Sequence, residues 1–242
     1  MISMVKSTLL LLLVPSACLL GQRSDVHKLI LNDLYPGEGV QTFDLRERKI
    51  PSAYYFRDEW LYGKILFEDD RESTQEYTLK YDLLHQELVV QIDREGSFVI
   101  PMNLIRGFIL KDRNPGRIHE YVFRYHELDA YNPGAEIALH LAEGHYTLVK
   151  YFFVDELPAT YVPALDAGSL DRKLVMKEKY FLIEDDHVTE IPRQRNKARK
   201  MFEVLDDAKP YLRENSVDFR NESDLISLVV FLNQSYLKKS KT

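Results

Sequence analysis

The residues whose types and spacing are best suited to chemistry are His140, Glu143 and His145, in the run His-Leu-Ala-Glu-Gly-His. Two imidazoles and a carboxylate this close together are a possible donor set for zinc. The run narrowly misses the signatures that place two histidines and a glutamate on one helix face. Gly144 and the alternating apolar residues on either side predict a β-hairpin instead, with His140 and His145 across from each other. Catalytic zinc normally takes three protein ligands, and the third is unassigned. The expectation is a turn carrying two part-exposed histidines, with His140, Glu143 and His145 as the candidate metal set.

Other arrangements are weaker. His119-Glu120 and His126-Glu127 repeat a dipeptide at a spacing of seven. On a single strand an odd spacing puts the two histidines on opposite faces, so they cannot share a metal. Cys18 is the only cysteine, which closes off a thiolate nucleophile or a cysteine-ligated zinc in the folded body. The Gly-x-Ser-x-Gly elbow and Gly-rich phosphate loops do not occur in the sequence. Asp69-Asp70 and Asp185-Asp186 fall in predicted turns, where solvated carboxylates are expected rather than a general acid and base. No cofactor and no catalytic residue follow from these patterns.

Arg193, Arg195, Lys197, Arg199 and Lys200 form the one basic cluster. Helical spacing puts Arg193, Lys197 and Lys200 on one face, away from Ala198, Met201 and Phe202. The cluster reads first as the solvated side of an amphipathic helix. Its functional alternative is contact with an anionic membrane surface or with the acidic body of a second copy. Asn221 and Asn233 begin glycosylation sequons, but both lie on predicted helix.

These residues must be positioned by strands. From residue 60 to 110, Tyr77, Leu79 and Tyr81 recur at every second position, and Leu88, Val89, Val90 and Ile92 form a β-branched run. Strands are expected over residues 62–68, 76–81, 88–92, 98–100 and 104–110, with Gly107 a candidate bulge. Connections this short make sequential neighbours, hence an antiparallel meander. Further strands are expected over 120–128, 137–141, 145–154, 174–183 and 188–191, with a long loop over 157–171. Helical spacing then replaces the period of two. A stripe of Ala198, Met201, Phe202 and Leu205 is followed by a short helix that tolerates Pro210 only in its first turn. Asn221 opens a last helix, expected to be largely buried, on which Leu225, Val229, Leu232 and Tyr236 share a face. A short helix is also expected over 24–34.

The fold class is therefore mainly β, a curled sheet or open barrel with a small C-terminal helical appendage. The chain divides into a signal peptide (1–21), a lead-in (22–53), an antiparallel β domain (54–191) and a helical segment (192–242). In residues 1–21, Lys6 precedes a short apolar core too brief for a membrane span, the pattern of a cleaved secretory signal with cleavage after Gly21. Lipidation of Cys18 in Ser16-Ala17-Cys18 and an uncleaved anchor are the alternatives, and the mass of the mature N-terminus separates the three. The formal net charge of −6 hides an asymmetry. The segment from Ile191 onward carries +4 and residues 22–190 carry −11, and so acidic a body argues against nucleic acid as a partner.

The stretches Trp60-Leu-Tyr-Gly-Lys-Ile, Tyr77-Thr-Leu-Lys-Tyr-Asp, Glu87-Leu-Val-Val, Ile105-Arg-Gly-Phe, Glu143-Gly with Leu148-Val-Lys-Tyr, Lys179-Tyr-Phe-Leu-Ile, and Tyr211-Leu-Arg-Glu-Asn with Glu222-Ser-Asp-Leu-Ile occur in this order. Together they resemble exported proteins of unknown function common in Bacteroidota. The resemblance implies a bacterial envelope or secreted location, in the periplasm or at the outer membrane, and transfers no catalytic residue. Three functions are expected in turn. The first is a non-enzymatic envelope protein that is structural or meets an envelope protein partner or membrane surface. The second is a carrier with a hydrophobic ligand held among residues such as Tyr77, Leu79, Val89 and Phe108. The third is a metal-dependent hydrolase built on the 137–146 hairpin.

Overall fold

A computed structural model describes residues 54–67, 71–91, 96–100, 105–114, 116–128, 135–157, 173–185 and 187–240. The predicted helix at 24–34, the signal region, most of the 157–171 loop and Asp69-Asp70 lie outside the described residues.

Ten strands form one antiparallel sheet: β1 (Leu61–Leu66), β2 (Tyr77–Asp82), β3 (Glu87–Gln91), β4 (Ser97–Ile100), β5 (Gly107–Asn114), β6 (Arg117–Glu127), β7 (Ala135–Ala142), β8 (Tyr146–Leu157), β9 (Lys173–Glu184) and β10 (His187–Glu190). Their order is β10-β9-β8-β7-β6-β5-β1-β2-β3-β4, and the sheet does not close into a barrel. The expected mainly-β fold holds, with one change of topology. β5 does not lie beside β4; the chain returns from β4 to pair β5 with β1, Gly107 opposite Leu66. Two meanders are thus joined edge to edge through β1.

Gly107 is not a bulge. Its register is unbroken toward both Leu66 and Arg124. A Cβ there would stand 2.1 Å from the Phe123 carbonyl oxygen, and one at Gly63 would stand 2.1 Å from that of Ile109. These glycines mark where neighbouring backbones crowd, the other use of glycine in a strand. The one register shift among the pairings of β7 and β8 falls between His140 and Ala142.

Alternation along the registers sorts side chains onto two faces. The inner face gathers Ile65, Leu79, Tyr81, Leu88, Val90, Phe98, Phe108, Phe123, Ile137 and Leu139 into one core. Phe108 stacks on Phe123 at 4.8 Å, and Tyr81 meets both rings. The sheet curls far enough for Gln86, in the β2–β3 turn, to donate to the Phe152 carbonyl of β8, and for the Tyr54 hydroxyl to donate to that of Leu174 in β9.

The β8–β10 end of the inner face is covered by three helices: α1 (Arg195–Glu203), α2 (Ala208–Glu214) and α3 (Glu222–Lys239). Ala198, Phe202, Leu212, Leu225, Leu228, Val229 and Leu232 form a second core with Tyr146, Leu148 and Leu182 of the sheet. Pro210 sits in the first turn of α2, where its missing N–H costs nothing. The Asn221 carboxamide caps α3 by accepting from the Ser223 and Asp224 amides. α3 is buried along one face rather than all round: Val230 and Tyr236 are about two-fifths exposed, at 41% and 40%. With 3.6 residues per turn, a sheet on one side covers only one stripe.

Candidate functional site

The hairpin of β7 and β8 presents the histidines. His140 and Glu143, three apart, belong on opposite faces of a regular strand. The register shift after His140 inserts one residue and restores them to one side. The Glu143 Oε1 atom lies 2.7 Å from His140 Nδ1, and His140 Nε2 lies 2.7 Å from Nε2 of His126 in β6. His126 and His140 flank the Arg124–Ala138 pair on the outer face, and their rings stack with centroids 4.9 Å apart. A carboxylate accepts, so His140 carries its proton on Nδ1 and offers Nε2 as acceptor to the His126 Nε2–H. Glu143, His140 and His126 form a line of two hydrogen bonds.

Burial favours the neutral form of both imidazoles. It pushes His126 down to about 4, and proximity to His140 and to the guanidiniums of Arg124 and Arg106 works in the same direction. Burial also lowers His140, although Glu143 works in the opposite direction. Only 8% of the His140 side chain is exposed, so the expected part-exposed turn histidine is in fact nearly enclosed.

His145 goes elsewhere. Its ring stacks on Tyr236 of α3 at 3.7 Å, and its Nε2 lies 3.3 Å from Glu184 Oε1. The structure thus joins His140 and Glu143 of the candidate metal set, adds His126, and gives His145 other partners. Among the described residues no group of three or more His, Cys, Asp or Glu side chains is placed to hold a metal ion. His126 was not foreseen as a partner of His140. Both positions are even-numbered, but only the β6–β7 register puts them on one face.

Asn233 locks this hairpin to α3. Its Oδ1 accepts from the Tyr146 amide at 2.8 Å, and its Nδ2 donates to the Tyr146 carbonyl at 2.8 Å. The carboxamide behaves as one more strand residue. Gly144 makes room for it, since a Cβ there would stand 2.5 Å from Asn233 Cγ. The sequon asparagine is therefore a buried clamp, and the sequon asparagine at 221 is a helix cap. A second tie is ionic. Lys150 lies 2.7 Å from Glu178 and 2.9 Å from Glu222 in the first turn of α3. Burial alone would lower the Lys150 ammonium, but the two carboxylates prevail and hold it above its ordinary value.

The basic cluster divides into three parts. Arg193 precedes α1, so it does not share a helix face with Lys197 and Lys200; its guanidinium donates to the Glu178 carbonyl at 2.7 Å. Arg199 pairs with Glu203 and reaches the Leu212 carbonyl. Arg195, Lys197 and Lys200 are exposed and have no carboxylate partner among the described residues. Buried Ala198 and Phe202 fix the orientation of this helix. The residues expected to line a carrier's pocket pack instead: Tyr77, Leu79 and Phe108 fill the inner core, and Val89 is buried on the opposite face. No helix among the described residues is long and apolar enough to cross a membrane. No protein-family model, curated protein or solved structure matches the chain.

Proposed function

We propose that the chain is an exported, non-enzymatic envelope protein that serves as a protein-interaction module, its curled sheet a scaffold and its helical segment the presenting surface. One observation carries the reading. Arg195, Lys197 and Lys200 stand exposed, without carboxylate partners among the described residues, on a helix seated by Ala198 and Phe202. Free cations on a well-seated helix keep their charge for a partner, and an acidic protein surface complements them. The pattern of residues 1–21 supports export.

A photo-crosslinking residue at position 197 of the full chain, expressed in cells, tests this. A discrete higher-mass adduct in the envelope fraction is expected, abolished by Arg195→Glu with Lys200→Glu. An adduct unchanged by charge reversal, no adduct, or retention in the cytosol with residues 1–21 still attached would contradict the reading.

A further inference from the structure

We infer that the groove between β9, β10 and the helical segment is a binding site for a small organic acid with an apolar body. The inference rests on the reading of the chain as a binding module and uses a surface other than the α1 face.

The groove has a volume of about 420 Å³, within the range of roughly 300–1,000 Å³ typical of small-molecule sites. Ile191 and Phe219, each 4% exposed, line it together with the half-buried ring of Tyr180, and these three supply the apolar contact. Three cations and two carboxylates also line it. Both carboxylates are already engaged: Glu178 with Lys150 at 2.7 Å, and Glu190 with Lys179 at 3.1 Å. Neither Arg193 nor Arg220 has a carboxylate partner among the described residues.

The two guanidiniums are instead steadied by backbone. Arg193 donates to the Glu178 carbonyl at 2.7 Å, and Arg220 Nε donates to the Arg193 carbonyl at 3.4 Å. A guanidinium has five N–H donors, so each bond to a carbonyl leaves a fork able to grip a carboxylate bidentately. The lining retains one net positive charge, which a monoanion balances and a doubly charged phosphate exceeds. Carboxylate head at the arginines, apolar body over Ile191 and Phe219: this is the ligand class that fits.

The probe is 4-phenylbutyrate, titrated into the full chain and followed by calorimetry and amide chemical shifts, with 4-phenylbutanol and inorganic phosphate as comparators. Saturable binding is expected, with shifts centred on Ile191 and Phe219, at least tenfold tighter than either comparator. Arg193→Ala with Arg220→Ala should weaken it at least tenfold. Arg193→Lys with Arg220→Lys, which keeps the charge and removes the fork, should weaken it severalfold. Circular dichroism verifies folding of each variant, and the lysine pair carries the test if the alanine pair does not fold. Absence of saturable binding, equal binding of the alcohol, tighter binding of phosphate, or affinity unchanged in the folded variants would overturn the inference. An intact crosslink at position 197 alongside any of these would remove the groove alone and leave the interaction module standing.

Discussion

The line from Glu143 through His140 to His126 is the clearest polar device on the outer face, and its energetics follow from its enclosure. The folded pKa of His126, near 4, lies well below the ordinary 6.5. The unfolded chain therefore binds a proton that the folded chain refuses. His126 contributes stability fully above pH 6.5, and that contribution is lost as pH falls from 6.5 toward 4. With allowance for solvent screening, the loss is on the order of 1–2 kcal/mol. In urea unfolding at pH 7 and pH 4.5, His126→Phe should narrow the gap between the two pH values by about that amount. An identical gap in the variant and the parent would contradict the assignment. The sequence offered His140 and Glu143 readily, being only three residues apart. It hid His126, because a one-residue slip in the β6–β7 pairing would send that histidine to the opposite face. His145 misled for a related reason: the partners that claim it, Tyr236 and Glu184, are remote in sequence.

At the scale of elements, the hairpin of β7 and β8 is joined to α3 by polar groups as well as by packing. Asn233→Ala would leave the Tyr146 amide and carbonyl without their partner in a buried setting, at a cost of about 2–3 kcal/mol. Asn233→Asp should do at least as much harm, since a carboxylate cannot donate to the Tyr146 carbonyl. Chemical denaturation of both variants measures this, and a loss under about 0.5 kcal/mol in either would show that the clamp is idle. The strands themselves were legible because period-two alternation at Tyr77, Leu79 and Tyr81 and the apolar runs of β3 and β8 leave little choice. Which strand lies beside which was less so. The union of β5 with β1 depends on Gly63 letting its backbone crowd against Ile109, as Gly107 does against Phe123 of β6, and a lone glycine in a strand signals a bulge or a close approach equally well. The burial of α3 was overread from its apolar content, since its outer stripe also carries Val230 and Leu237.

At the scale of the molecule, the helical segment and the sheet share a core, and Lys150 of β8 ties them further by pairing with Glu178 of β9 and Glu222 of α3. A module that presents cations to a partner gains from such rigidity, because less order has to be imposed at the moment of binding. The sequence showed the amphipathic stripes of α1 and α3 but not their seat, which depends on side chains such as Leu148 and Leu182, brought opposite each other by the β8–β9 register. If α1 and α3 are parts of one body with the sheet, native-state amide hydrogen exchange will report it. The amides of Leu228, Val229 and Leu232 in α3 and of Leu148 in β8 should exchange only through an opening whose free energy equals that of global unfolding. Exchange of the α3 amides through an opening about 2 kcal/mol or more below that of Leu148 would show the helices to be a detachable appendage, and would contradict the account.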